Sequence, residues 1–191
     1  MTPTIIAFVI IIAYFSAESF LRYGEEAKSI IPAESDKKST SYIIRAFQLN
    51  ILCLFASFLL NHYKLGTLFS QSFLAFFGNA FMIIGLMIRI IATGTLREYY
   101  TRTLKIITHQ KIVDKGLYRY IRHPGYAGVI LLWSGAGWAS NNYWILLLIL
   151  LITLVTYHYR IRNEEQMLLN AFGEDYVKYQ KRTWRLLPYI Y

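Results

Sequence analysis

Two polar stretches interrupt an otherwise oily chain, and both carry side chains able to do chemistry. Residues 116–128 read Gly-Leu-Tyr-Arg-Tyr-Ile-Arg-His-Pro-Gly-Tyr-Ala-Gly. Tyr118, Tyr120 and Tyr126 interleave there with Arg119, Arg122 and His123, a mixture of aromatic faces, cations and hydrogen-bonding groups suited to a polar ligand. Pro124 biases His123 away from the α region and fits the first turn of a new helix, where its missing N–H costs nothing. Backbone N–H groups at such a start favour anionic ligand groups. Gly116, Gly125 and Gly128 let the backbone approach a ligand or another helix closely. The same composition also suits a basic juxtamembrane loop that only sets topology.

The second stretch is Tyr157-His158-Tyr159-Arg160-Ile161-Arg162-Asn163-Glu164-Glu165. Arg160 and Glu164 share one helix face by their spacing, and Arg162 and Glu165 share another. Surface ion pairing at a membrane boundary accounts for both spacings, and so does a cation and a carboxylate facing a common ligand.

The elements that must position these groups follow from composition. Of 191 residues, 55% are hydrophobic, and they fall in long blocks. The formal net charge is +9, but the charges lie between the apolar blocks, which points to a membrane surface and to topology rather than to nucleic acid. Cys53, the single cysteine, sits inside an apolar run and offers neither a disulfide framework nor a thiolate cluster, and no zinc or P-loop pattern occurs. Residues 1–21, 43–62 and 73–96 are each long enough to cross a bilayer. Residues 126–138 and 144–159 are shorter arms joined at Ser140-Asn141-Asn142, and they read as a helical hairpin. The chain is therefore expected to be an all-α integral membrane protein of about five spans, the last two forming that hairpin. Residues 1–96 hold the first three spans, and 97–191 hold the chemistry. Glu18 and Arg22 can pair near the end of the first span. Arg89, inside the third, must face protein, water or headgroups. Residues from 166 onward read as an amphipathic helix that turns at Gly173 and lies as a lid over the hairpin. Lys and Arg crowd residues 22–45, 97–122 and the tail after Tyr159, while the alternate loops have almost none. That asymmetry predicts an external N-terminus, with the C-terminus (Tyr191) and the pocket on the cytoplasmic side.

With both stretches in view, the chain resembles the isoprenylcysteine carboxyl methyltransferase family. The matching features are Gly116-Leu-Tyr118, then Arg122-His-Pro-Gly-Tyr126-Ala-Gly128, then Arg160-x-x-x-Glu164-Glu165, then Phe172-Gly173-Glu-Asp-Tyr176-x-x-Tyr179, and Pro188. They cover about the C-terminal half, in a chain that looks like a short, prokaryote-type member. The resemblance implies S-adenosylmethionine as cofactor and methyl transfer to the carboxylate of a prenylated cysteine or similar isoprenoid acid reached from the membrane. It implies a cofactor site of Gln110, Lys111, Ile112, Val113, Tyr118, His123, Pro124, Gly125, Tyr126 and Glu164. Arg160 and Glu164 carry the catalytic role in this reading, and Arg160, with Arg162 as its substitute, binds substrate. Gly125 departs from the serine common in eukaryotic members. Membrane lipids are the other expected partners, with no nucleic acid and no metal.

The chemistry asks little of a base, because a carboxylate is already ionised at neutral pH. What it needs is alignment of acceptor oxygen, methyl carbon and sulfur, with water kept out. Arg160 can fix a carboxylate through charge-assisted contacts. No Gly-x-Gly-x-x-Gly follows a strand, so a Rossmann domain is not expected. The rivals are a phospholipid amine methyltransferase, an NADPH-dependent membrane steroid reductase and a non-enzymatic membrane scaffold.

Overall fold

The structure is a computed structural model that describes residues 2–21, 34–68, 72–107 and 109–188. In lipid every backbone polar group must find its partner within the chain, so apolar runs of this length become helices. Six α-helices occur among the described residues: α1 (Thr2–Phe20), α2 (Ser39–His62), α3 (Phe76–Leu96), α4 (Pro124–Ala139), α5 (Tyr143–Phe172) and α6 (Glu174–Lys181). No strand forms among these residues, and only isolated bridges join Thr67 to Asn142 and Ile121 to Trp184. Four segments are long and apolar enough to cross a membrane: Thr2–Phe20, Ser39–His62, Phe73–Tyr99 and Tyr143–Phe172. The chain is an integral membrane protein. Side chains such as Ile12, Leu52, Leu151 and Val155 lie on its outer surface, more than half exposed, where lipid chains would cover them.

The hairpin differs from its sequence outline in the length of its second arm. That arm does not stop near Tyr159. It continues as one helix of 30 residues, about 45 Å at ~1.5 Å per residue. Nothing between Tyr159 and Phe172 breaks a helix, so Arg160, Glu164 and Glu165 ride on a continuous rod and the segment from residue 166 is its last part. The rod ends at Gly173, whose positive φ of 52° suits glycine, and α6 starts immediately after. At the other end Asn142 caps α5, its Oδ1 accepting from the N–H groups of Trp144 and Ile145. The first arm, α4, has 16 residues and is shorter than its partner.

α3 and α4 meet backbone to backbone. A Cβ on Gly85 would sit 2.5 Å from the Gly128 carbonyl oxygen, and one on Gly135 would sit 2.5 Å from that of Gly78. Two glycines seven residues apart on each helix thus form a flat seam of the kind that lets membrane helices pack closely. Around it, Met82, Val129, Leu132, Trp133 and Ala136 are buried with Ala7, Ile11 and Tyr14 of α1. Among charged groups, Arg89 of α3 donates from Nε to Glu18 of α1 at 2.6 Å and from Nη2 to the Tyr100 hydroxyl at 2.7 Å. The internal ion pair answers the cost of an arginine in this span. Arg22, the partner that spacing suggests for Glu18, lies outside the described residues.

The seam makes a direct prediction. Gly85→Val is expected to destabilise the protein by about 1–3 kcal/mol through overpacking against backbone that cannot yield. Gly94→Ala, near the end of the same helix with nothing within 4 Å of its new methyl, is expected to be neutral or slightly stabilising. Thermal unfolding of both variants in one detergent checks the contrast.

Candidate active site

The site is assembled where α4 begins. His123 has φ −123° and ψ 55°, outside the α region, and Pro124 stands at the first helical position. This geometry turns the chain from the loop into α4. It stacks the His123 imidazole on the Tyr126 ring, with centroids 5.5 Å apart and planes 9° from parallel.

A cavity of about 110 Å³ lies beside this turn. Its wall includes Gln110, Lys111, Ile112, Val113, Tyr118, His123, Gly125, Tyr126, Arg160 and Glu164, gathered from the loop before α4, from α4 and from α5. Of the residues selected from sequence, Pro124 and Arg162 are not in the wall. Pro124 is buried behind it as the helix start. Arg162 is exposed, since two residues along a helix turn it about 200° from Arg160. It stands apart from the groups that border the cavity. Arg89, which the sequence placed against protein, water or headgroups, joins the wall from α3, and residues outside the sequence-based site add to it: Thr93 from α3, Tyr99 and Tyr100 after it, and Met167 and Leu168 from the last turns of α5. Tyr176 Oη and Thr93 Oγ1 are buried at this wall and make no hydrogen bond. Burial raises the phenol pKa values of Tyr118, Tyr176 and Tyr179 well above the ordinary value, so these rings stay neutral.

A second, larger cavity of about 340 Å³ runs between α1 and α2. Tyr14, Phe15, Ile43, Ile44, Phe47 and Ile51 give it an apolar body. Its polar end is formed by Glu18, Arg89, Tyr100, Thr101, Tyr126 and Arg160. Arg89, Tyr100, Thr101, Tyr126 and Arg160 line both cavities, so these side chains are the partition between them.

Arg160 is held tightly in that partition. Its Nη1 donates to Asp36 Oδ1 at 2.8 Å, Ser39 Oγ at 2.6 Å and Thr40 Oγ1 at 3.0 Å. Its Nη2 donates to the Arg102 carbonyl at 2.8 Å and its Nε to the Tyr126 hydroxyl at 3.2 Å. Tyr126 in turn donates to Glu164. The i, i+4 pair of Arg160 and Glu164 is thus bridged by a tyrosine rather than joined directly. Asp36 also accepts from the N–H groups of Leu104 and Thr40 at 3.0 Å each. Burial alone would raise its carboxyl pKa, but these hydrogen bonds and the Arg160 charge outweigh it and hold the group below the ordinary range. Asp36 is therefore ionised at neutral pH and offsets Arg160.

Glu165 points the other way and fastens the tail. It accepts from Arg122 Nε at 2.8 Å, lies 3.3 Å from His123 Nε2 and pairs with Arg185 Nη2 at 2.7 Å. These contacts, rather than a pair with Arg162, occupy its carboxylate. Arg122 Nη1 also donates to the carbonyls of Gln180 and Thr183. The backbone repeats the connection: Arg122 N–H donates to Trp184, His123 N–H to Arg185, and Trp184 N–H to Tyr120. The tail after α6 is so strapped across the start of α4. The Arg122–Glu165 contact has no spacing signal, because 43 residues separate the two.

Comparisons with known proteins agree with this architecture. The profile of the isoprenylcysteine carboxyl methyltransferase family matches residues 74–170. A probable protein-S-isoprenylcysteine O-methyltransferase of Oryza sativa subsp. indica is 32% identical over 126 residues, covering 62% of this chain and 63% of that protein. The protein-S-isoprenylcysteine O-methyltransferase of Dictyostelium discoideum is 28% identical over 164 residues, covering 76% and 62%. The chain therefore spans less than two thirds of the length of these curated relatives. The solved structure of a eukaryotic intramembrane Ras methyltransferase superposes with a TM-score of 0.72 at 22% identity, over 98% of this chain and 68% of that one, a likeness of fold.

Cutting the tail's anchor tests its role. Glu165→Ala takes from the buried Arg122 the carboxylate that it meets at 2.8 Å, a change that costs about 3–5 kcal/mol in buried pairs. Trypsin is then expected to cleave at Lys181, Arg182 and Arg185 markedly faster than in the parent protein. Asp175→Ala, which breaks only an exposed pair with Lys178, is expected to leave the cleavage rate unchanged.

Proposed function

The chain belongs to the isoprenylcysteine carboxyl methyltransferase family, and from that premise we propose that it methylates the C-terminal carboxylate of a prenylated cysteine, or a similar isoprenoid acid, with S-adenosylmethionine as donor. The observation that carries this reading is the shared partition: a polar, aromatic cavity and an apolar cavity between spans touch through the same side chains. Two ligands of opposite character can meet there, one from the aqueous side and one with its chain in the bilayer.

The first cavity suits the donor. Its unpartnered Tyr176 Oη and Thr93 Oγ1 and its half-open Glu164 carboxylate are the polar groups a nucleoside amino acid can satisfy. Glu164 would take ribose hydroxyls or the ammonium, and His123, Tyr118 and Tyr126 would hold the amino-acid end and the adenine face. Gln110, Lys111, Ile112 and Val113 would form the loop side, and Pro124 and Gly125 the helix start against which the ligand lies. S-adenosylmethionine, when bound, supplies a methyl carbon made electrophilic by its sulfonium.

The second cavity suits the acceptor, with the isoprenoid among Phe15, Ile44, Phe47 and Ile51 and the carboxylate at the partition. Arg160 is the acceptor-side residue, with most of its donors already used by protein. Arg89 Nη1, which lies beside Gly125 and makes no hydrogen bond among the described residues, supplies further donors to an anion. Two guanidinium groups favour a carboxylate over the ammonium acceptor of a phospholipid amine methyltransferase. At the partition Arg160 and Arg89 would hold the acceptor carboxylate with one oxygen turned toward the donor's methyl group, and because a carboxylate is already ionised at neutral pH no side chain here has to take a proton. The side chains orient the acceptor oxygen and exclude water.

In the bilayer, α4 serves as a fifth span with its polar start near the cytoplasmic face. The excess of Lys and Arg in residues 97–122 and after Tyr159 favours an external N-terminus and an active site, amphipathic tail and C-terminus on the cytoplasmic side. Tyr191 itself lies outside the described residues. In a Cys53→Ser background, a cysteine at Asn141 is expected to react with an impermeant maleimide in intact cells, and one at Lys181 only after lysis. Equal labelling of both from outside sinks this orientation.

The activity is tested by transfer of labelled methyl from S-adenosylmethionine to N-acetyl-farnesylcysteine in liposomes, with amine lipids as the competing acceptor. His123→Ala and Glu164→Ala are expected to weaken S-adenosylhomocysteine binding about tenfold or more, each tenfold being ~1.4 kcal/mol. Tyr176→Phe is expected to weaken it less and to leave thermal stability unchanged, because its hydroxyl has no protein partner. Wild-type affinity in all three variants removes the donor from this cavity.

A further inference from the structure

Asp36 stands in the turn before α2, outside residues 74–170 that match the family profile. It lines neither cavity and is 1% exposed, so it touches no ligand. Yet it sits at the head of an unbroken chain of contacts. Asp36 accepts from Arg160 Nη1, Arg160 Nε donates to Tyr126 Oη, and Tyr126 Oη donates to Glu164. The first member is a buried support, the next two form the partition between the cavities, and the last faces the donor cavity.

The support is built with care. The Asp36 carboxylate accepts from Leu104 N–H, from Thr40 N–H and from the hydroxyls of Ser39 and Thr40. The carboxylate is thus fixed by two segments before it meets the guanidinium, and Ser39 Oγ and Thr40 Oγ1 also accept from Arg160 directly. A long, flexible arginine is reduced to one geometry, with its positive charge already offset. A carboxylate acceptor arriving at the partition then meets a guanidinium whose remaining Nη2 N–H is already aimed and costs little further ordering.

We propose that Asp36 is a positioning residue for methyl transfer: through Arg160 it sets the orientation of the partition side chains against which acceptor and donor are aligned. This rests on the activity proposed above. Asp36 takes no part in bond making; its effect is on alignment, and so on the rate of the bound complex.

Two variants test it in the full-length protein in liposomes. Asp36→Glu keeps the charge and displaces the carboxylate by one methylene. Ser39→Ala removes one hydroxyl between Asp36 and Arg160 and keeps the charge pair. Each is expected to unfold near the wild-type temperature and to bind S-adenosylhomocysteine within about threefold of wild type. Each is expected to lower kcat for N-acetyl-farnesylcysteine by about tenfold or more with a smaller change in KM, the pattern of a contact made in the transition state. Wild-type kcat in both variants overturns the proposal. So does a joint fall of unfolding temperature, donor affinity and kcat, which marks a purely structural residue. A wild-type protein that methylates no carboxylate acceptor fails the activity reading instead. The positioning claim is then read from the Arg160 Nε–H resonance in ¹⁵N spectra, which is expected to shift in Asp36→Glu, and an unmoved resonance overturns it.

Discussion

A guanidinium held in oily surroundings must have its charge offset within the protein, and three arginines impose that condition here. Arg89 meets Glu18 at 2.6 Å, Arg122 meets Glu165 at 2.8 Å and Arg160 meets Asp36 at 2.8 Å. In each pair the partners come from segments far apart in the chain. The first ties α1 to α3, the second ties the start of α4 to the outer end of α5, and the third ties α5 to the turn before α2. Buried pairs of this kind add little net stability, because desolvation consumes most of the attraction, but removing one partner is severe. They fix which surfaces face each other, and the two cavities are what remains between the surfaces so fixed.

Much of the scaffold was legible in the sequence because it depends on length and composition. Four of the five apolar blocks became helices close to their expected limits, the fifth ran on past Tyr159 to Phe172, the His123-Pro124 step began a helix and Gly173 ended one. The order of motifs also named residues that share a wall: residues 110–113, Tyr118, His123, Gly125, Tyr126, Arg160 and Glu164 border one cavity. The charge partners were not legible. Helical spacing says which residues share a face, and it suggested Arg160 with Glu164 and Arg162 with Glu165. It cannot say what another segment will bring to that face. Asp36 arrived 124 residues away from Arg160, with no signal beyond an acidic residue ahead of Ser39, Thr40 and an apolar run. Gly78 and Gly85 were hidden for a related reason. A glycine in an apolar helix looks the same whether it faces lipid or another backbone.

Tyr126 illustrates how one residue can serve several demands. Its ring stacks on His123 and lies 5.2 Å from that of Tyr157, so its face is fixed by packing. Its hydroxyl accepts from Arg160 and donates to Glu164, so its polar end is fixed by charge. A phenol can meet both conditions because it is apolar over most of its surface and polar at one atom. Phenylalanine would keep the first and abandon the second.

The glycine seam between α3 and α4 also bears on how such a chain is assembled. α4 has only 16 residues, opens on a histidine and a proline, and carries glycines whose bare backbone gains little from lipid. As an isolated segment it has a poor claim on the bilayer. Its favourable surroundings are the matching grooves of α3, already inserted, and the long rod of α5 that follows. Chain order then matters to the cavities: α1, α2 and α3 are synthesised first, and α3 presents the groove that α4 fits. A change at Gly85 would be felt there first, as a helix left without its berth.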